Sequence, residues 1–105
     1  MEGLLSVTER LRVLDREIPA QVVSILLYIA IHEPCHKQAI EEDLGYNTGS
    51  CSRNIDWLTT KHRLKKPGLG LVEKWKDPSN RRRYIVALTP KGKELINTLE
   101  TQLYG

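Results

Sequence analysis

LGLVEKWKDPSNRRRYIVALTPKG, residues 69–92, has the pattern of a two-stranded β-hairpin with a strongly basic tip. Leu71–Lys76 and Arg83–Leu88 are short runs containing valine, isoleucine and aromatic residues, which favour strands. Between them, Asp77–Asn80 favours a turn, because proline fixes φ and the short polar side chains bond to nearby backbone. Arg81–Arg83 follow directly, and three adjacent guanidinium groups repel one another unless an anion lies opposite. The tip is therefore either a solvated charged turn or a surface that binds an anion.

The residues before the hairpin predict a pair of short helices joined by a tight turn. Lys37–Leu44 is the first helix, and Gly45 ends it because glycine tolerates left-handed backbone. Asn47 or Thr48 can cap the second helix, which we expect to run to about Lys61. Such a pair is a helix-turn-helix pattern, and in DNA-binding proteins its second helix enters the major groove.

The second helix of the pair has one apolar and one polar face. Cys51, Ile55 and Leu58 recur at helical spacing and predict the buried stripe. The opposite face is small and polar near its start, and we expect Arg53 and Asp56 to point outward there. Small residues let a helix sit deep in a groove, where serine, asparagine and arginine bond to base edges or phosphates. The alternative is a capped helix whose polar face is simply solvated.

Further helices flank these elements. Leu4–Ile18 has apolar residues at spacings of three and four, which predicts a helix with one narrow apolar seam. Ala20–Ile31 is apolar on nearly all sides, which predicts a buried central helix that ends before Pro34. Pro90 opens a last helix with a second narrow seam. We expect the seams to pack against other helices, within the chain or from a second copy, through Leu4, Val7, Leu11, Leu14, Ile96, Leu99 and Leu103.

Positive charge is concentrated in one third of the chain. The net charge is +3, but residues 61–93 contain eleven Lys or Arg against two acids, a balance of +9. Residues 1–60 contain five against nine, and residues 94–105 contain none against two, so both flanks are acidic. This local excess indicates a surface that neutralises phosphates. A membrane surface is the rival anion, but a polybasic hairpin without an amphipathic basic helix fits it less well. No apolar run reaches the roughly 20 residues that span a bilayer.

The composition points away from enzymes, metal sites and secretion. A length of 105 residues predicts one domain, 1–105. No nucleophile, base and acid are spaced for catalysis. The HEPCH motif, residues 32–36, could recruit only Cys51 and His62 as further zinc ligands, and Cys51 belongs to the buried stripe, so we expect no metal or other cofactor. Two cysteines and the lack of a signal-peptide pattern predict a cytoplasmic, nucleoid-associated protein.

The sequence resembles the MarR family of transcriptional regulators over roughly residues 18–103. YNTGSCSRNIDWL, residues 46–58, is similar to the recognition helix of that family, with Arg53 at the arginine position. LVEKWKDPSNRRRYIVALTPKGKEL, residues 71–95, resembles the family's wing and the helix after it. The spacing of DP, RR and LTPKG is the most specific part, although PadR-type regulators share some of it.

The resemblance implies a winged helix-turn-helix fold, mainly α with a small β-hairpin. It implies terminal helices at 1–17 and 90–105 that pair two copies, a helix-turn-helix at 37–61 and a wing at 70–89. Asn80 departs from the pattern, because the family usually has an acid there. The basic connection between the helix pair and the wing is longer than usual and can add phosphate contacts. We expect a short member that lacks the family's further dimerisation helix, which also frames its ligand pocket, so a small-molecule effector stays open.

Together these features predict sequence-specific binding to double-stranded DNA by a homodimeric, repressor-like transcriptional regulator. The recognition helix would read the major groove, and the wing would contact the minor groove, with strand alternation turning Arg82 away from Arg81 and Arg83. Trp75 and Tyr84 are expected to cover the core. The residues expected to contact DNA are Lys37, Gln38, Thr48, Ser50, Ser52, Arg53, Asn54, Lys76, Arg81, Arg82 and Arg83. The alternatives are a winged-helix module that binds another protein and an accessory protein that binds DNA without sequence preference.

Overall fold

The computed structural model describes residues 1–60 and 67–104, and this part of the chain contains five helices and three strands. In chain order they are α1 Glu2–Leu14, α2 Ala20–His32, β1 Cys35–His36, α3 Lys37–Leu44, α4 Thr48–Leu58, β2 Val72–Asp77, β3 Asn80–Leu88 and α5 Pro90–Tyr104. The helix pair α3–α4 followed by the hairpin β2–β3 is a winged helix-turn-helix, so the fold predicted from the sequence is confirmed.

Local signals in the sequence set the bounds of the helix pair. Gly45 ends α3 with φ of 72°, a left-handed conformation that costs glycine little. The side chain of Asn47 caps α4 by accepting a hydrogen bond from the backbone N–H of Ser50 at 2.8 Å. α4 ends earlier than expected, at Leu58, because Thr59 has extended backbone. The predicted end at Lys61 lies outside the described residues.

The two-residue strand β1 is a feature that the sequence does not predict. It pairs antiparallel with β3, with Cys35 opposite Val86 and His36 opposite Ile85. The strand order is therefore β1-β3-β2, with β3 in the centre. A run of two residues has no alternation to detect, which explains why sequence patterns miss it. β1 leads directly into α3, so the wing is attached by backbone hydrogen bonds to the start of the helix pair.

α2 supplies much of the core, but only from one side. Its buried residues lie together under α4 and the sheet: Val22, Ile25, Leu26 and Ile29. Leu27 and Ile31 are exposed, so the prediction of a helix buried on nearly all sides is wrong. The reason is that no element within residues 1–60 and 67–104 covers the side of α2 on which these two residues lie.

The terminal helices α1 and α5 pack against each other within the chain. Leu11 and Leu99, both predicted to serve dimerisation, are 4% and 5% exposed and belong to the chain's own core. Leu4 and Leu103, at the outer ends of the same seams, remain exposed. Pairing of two copies therefore stays a prediction, and the buried pair of leucines holds one chain together instead.

The described helices are all too short or too polar to cross a membrane.

Candidate nucleic-acid interface

The polar residues of α4 fall into three strips, because positions three and four apart share one side of a helix. The first strip, which we call the wing flank, contains Thr48, Ser52 and Asp56. The second, the outer face, contains Gly49 and Arg53, both exposed. The third, the α2 flank, contains Ser50, Asn54 and Trp57. The apolar stripe opposite the outer face is buried as predicted: Cys51, Ile55 and Leu58.

An open cleft of about 460 Å³ lies between α3, the wing flank of α4 and the strand β3. It is lined by residues of three elements, and β3 lies far from the two helices in sequence. Its lining residues are Lys37, Gln38, Glu41, Thr48, Ser52, Arg82, Arg83 and Tyr84. We call it the basic cleft, because three of its side chains are cations and one is an anion. Six of the eleven predicted DNA contacts thus line one depression in the surface.

The register of the wing explains why two neighbouring arginines can share this cleft. Lys76 pairs with Tyr84, whereas the next residue, Asp77, pairs with Asn80. The three residues Arg81–Arg83 on β3 therefore have no counterpart on β2, and the strand bulges outward.

Arg82 and Arg83 both line the basic cleft beside this bulge. That alternation turns the Arg82 side chain away from its neighbours stays a prediction. All three arginines of the tip are exposed, as is Lys76 on β2. Two adjacent cations next to the bulge thus line the cleft that α4 also borders.

Asp56 attaches α4 to the wing. Its carboxylate accepts a hydrogen bond from Lys74 Nζ at 2.7 Å, and Lys74 Nζ also lies 5.1 Å from the centre of the Tyr84 ring. Asp56 is only 8% exposed, so the prediction that it points outward to solvent is wrong. The strand β2 covers this end of the wing flank, which a helical wheel of α4 alone does not reveal.

A second side-chain contact attaches the turn of the wing to β1. His36 Nε2 lies 2.8 Å from Asp77 Oδ2, and the backbone N–H of Ser79 donates to Asp77 Oδ1 at 2.8 Å. The contact with His36, followed by the bond from Ser79, holds the pKa of the Asp77 carboxyl below its ordinary value of 3.8. The wing is thus fixed at its turn as well as along its strands.

The α2 flank is bonded inside the protein. Gln21 Oε1, on α2, accepts from Ser50 Oγ at 2.9 Å and from Asn54 Nδ2 at 2.8 Å. Trp57 Nε1 donates to Asp15 Oδ2, after α1, at 2.9 Å. The structure therefore gives Ser50 and Asn54, two of the predicted DNA contacts, partners within the chain.

Both predicted contacts on α3 are also bonded. Lys37 Nζ donates to Glu41 Oε2, and Gln38 Nε2 donates to Glu42 Oε1 at 3.1 Å. The spacing of Lys37 and Glu41 is that of a helical ion pair, so the sequence contained a signal for this contact. Sequence patterns contain no such signal for Gln21 or Lys74, because their partners lie on other elements.

The two aromatic residues of the wing differ in their exposure. Trp75 is 39% exposed, so the expectation that it covers the core is wrong, whereas Tyr84 is half-buried.

Burial raises the pKa of the Cys35 thiol, with Glu33 adding to the effect, and burial raises the pKa of Cys51 to about 11. Neither thiol is activated as a nucleophile.

Within residues 1–60 and 67–104, no three His, Cys, Asp or Glu side chains are placed to hold a metal ion. His62 and the rest of the basic segment 61–66 lie outside the described residues.

No protein-family model and no curated protein sequence matches the chain. Solved structures do match. MarR is 27% identical with a TM-score of 0.68, and the match covers 95% of this chain and 72% of MarR. A MarR transcriptional regulator from Methanosarcina mazei is 21% identical with a TM-score of 0.73, and the match covers 95% of this chain and 65% of the regulator. Overoxidized AbfR bound to DNA is 16% identical with a TM-score of 0.71, and the match covers 92% of this chain and 63% of AbfR.

The likeness to these structures extends over both the helix pair and the terminal helices, since it covers more than nine tenths of this chain. The chain spans about two thirds of the length of the solved chains, from 63% to 72%. The protein therefore has a MarR-like winged helix-turn-helix fold, which it shares with MarR-family transcriptional regulators.

Proposed function

We propose that the protein binds double-stranded DNA and regulates transcription, acting as a repressor-like factor. One observation carries the proposal: Arg82 and Arg83 share the basic cleft with Thr48 and Ser52. The cationic wing and the polar start of α4 therefore face the same side of the molecule. A duplex laid against that side would meet α4 in its major groove and the arginines at the adjacent minor groove and phosphates.

The proposed contacts divide by their position on this side. Arg53, on the outer face of α4, reads base edges, because arginine bonds to the acceptors of guanine. Arg81–Arg83 and Lys76 neutralise phosphates, and the arginines also follow the narrow minor groove. Gln38, Thr48 and Ser52 add polar contacts around the cleft. Ser50 and Asn54 contribute less, since Gln21 engages them.

A homodimer is the proposed active form. Exposed apolar residues of α1, α2 and α5 surround a groove of about 500 Å³, among them Leu4, Leu27, Ile31, Leu103 and Tyr104. A contiguous apolar patch on a small chain marks an interaction surface. Two copies related by a twofold axis would bind an imperfect palindrome whose half-site centres lie about 10–10.5 base pairs apart. Sedimentation at several protein concentrations measures this association directly.

The solved structures support the proposal. MarR-family regulators have this fold, and AbfR was solved on DNA. The identity to AbfR is 16%, so that structure supports the fold alone.

Selection of bound duplexes from a random pool tests the proposal. We expect an imperfectly palindromic motif and, in a salt titration, an affinity that falls linearly on logarithmic axes as phosphate contacts release counterions. A module that binds only other proteins would retain no DNA at low salt. An accessory protein without sequence preference would show the salt dependence but yield no motif. Either result would overturn the proposed regulator.

A further inference from the structure

Glu41 is the acidic residue among those that line the basic cleft. It lies on α3 and lines the basic cleft with Lys37, Arg82 and Arg83. Its Oε2 accepts from Lys37 Nζ, and its Oε1 accepts from Thr48 Oγ1 at 3.3 Å. One carboxylate therefore bridges the two helices of the helix-turn-helix at the start of α4.

The pair of Lys37 and Glu41 is partly buried. Their side chains are 13% and 17% exposed, so solvent screens the interaction less than on an open surface. An ammonium group held by a carboxylate in this way is already neutralised. It releases no additional counterion when a phosphate approaches, and the carboxylate itself repels the phosphate.

We propose that Glu41 sets the balance between general and sequence-specific DNA affinity. It keeps Lys37 from acting as a phosphate contact, which lowers affinity for every sequence alike. It also fixes the hydroxyl of Thr48 at the start of α4, where base edges are read. The proposal rests on the proposed DNA binding, and it replaces the sequence-based expectation that Lys37 contacts DNA.

The neighbouring residue Glu42 provides a matched control. It lies on the same helix, is exposed and accepts from the neutral Gln38 rather than from a cation. Glu42→Gln therefore changes the net charge by the same amount as Glu41→Gln without releasing a lysine.

The test measures binding to a random-sequence duplex by fluorescence anisotropy between about 50 and 200 mM salt. We expect Glu41→Gln to steepen the slope of log affinity against log salt by about 0.9, the value for one added phosphate contact. Affinity would then fall by a further factor of about 3.5 over that fourfold range. We expect Glu42→Gln to leave the slope unchanged. On a duplex selected for specific binding, we expect Glu41→Gln to gain less affinity than on the random-sequence duplex. The ratio of specific to general affinity therefore falls.

Lys37→Gln gives an independent measurement in two backgrounds. In the wild-type chain it should leave the slope unchanged, because Lys37 contributes no phosphate contact there. In the Glu41→Gln chain, Lys37→Gln should make the slope shallower by about 0.9, because the released lysine is then removed. Thermal unfolding checks that each variant is folded, and the wild-type background alone still decides the question if Glu41→Gln does not fold.

Two results would overturn the inference while DNA binding stands. One is an equal salt slope for Glu41→Gln and Glu42→Gln. The other is a shallower salt slope for Lys37→Gln than for the wild-type chain. If the wild-type protein shows no salt-dependent retention of DNA, the proposed function fails, and this inference fails with it.

Discussion

The two flanks of α4 have similar polar residues but different surroundings. On the α2 flank, Ser50 and Asn54 both bond to Gln21. On the wing flank, Thr48 and Ser52 line an open cleft that also contains two arginines. From the sequence alone, the polar residues of the two flanks cannot be told apart. The elements packed beside α4 decide which polar groups hold the fold together and which can meet a ligand.

The largest expected effect is on the wing side. Replacing Arg82 and Arg83 by alanine removes two cations from the basic cleft. We expect affinity for any duplex to fall about tenfold or more, with the salt slope smaller by about 1.8, because two phosphate contacts are lost. Anisotropy titrations at several salt concentrations measure both quantities.

Arg16→Ala combined with Lys93→Ala is the control for that loss of charge, since it removes two exposed cations outside the cleft. If the control weakens binding as much as the cleft variant does, overall charge rather than the position of the arginines governs affinity.

The outer face of α4 is expected to show the next largest effect. Arg53→Ala should cost about 1–3 kcal/mol at a selected duplex, because a bidentate contact with a guanine is lost, and it should relax the preference at one base position. Competition binding with single-base variants of the duplex measures this. An equal loss on random and selected sequences would show that Arg53 contacts a phosphate instead.

The α2 flank should respond in stability and not in DNA binding. Gln21→Ala removes the acceptor of two side-chain hydrogen bonds, so we expect the free energy of unfolding to fall by about 1 kcal/mol. Denaturant titration measures the change, and Gln38→Ala, which loses a bond to Glu42 alone, is the comparison. A tenfold loss of DNA affinity in Gln21→Ala without a loss of stability would contradict the division into flanks.

The smallest expected effect concerns the turn of the wing and depends on pH. His36 and Ser79 lower the pKa of Asp77 in the folded protein, so the unfolded chain binds the proton more readily. The resulting stabilisation is present above the ordinary value of 3.8 and is lost as the pH falls through the lower folded value. The stability difference between wild type and Asp77→Asn should therefore shrink on acidification from about pH 6 to pH 2.

Thermal unfolding across that range measures the difference in stability. A constant difference between wild type and Asp77→Asn would mean that the charge of Asp77 contributes nothing to the fold.

Sequence patterns predicted the fold well where local signals were strong. α3 begins and ends where expected, because Gly45 supplies a left-handed terminus and Asn47 supplies a cap. They failed for β1, which is too short to show a period, and for the exposed side of α2. In α2 the composition is apolar all round, so only the positions of its neighbours reveal which side is covered.

The site was predicted in outline and not in its contacts. The register shift between Lys76 and Asp77, next to the arginines of the wing, is not visible in the sequence. A wheel of α4 misplaced Asp56 because β2 covers it. The partner of Ser50 and Asn54 lies 29 and 33 residues away, so no local pattern could identify it. The pairs on α3, Lys37 with Glu41 and Gln38 with Glu42, have the four-residue spacing of a helix and can be found from spacing alone.

The central position of β3 has a consequence for the sites this protein could recognise. Because β1 and β2 flank it on both sides, β3 cannot swing independently of the helix that follows β1. One base pair inserted between the segments touched by α4 and by the wing would displace one of them along the duplex by about 3.4 Å. A rigid protein would then lose one set of contacts when it keeps the other. Each half-site should therefore tolerate no change of length. The spacing between half-sites would depend only on the way two copies associate.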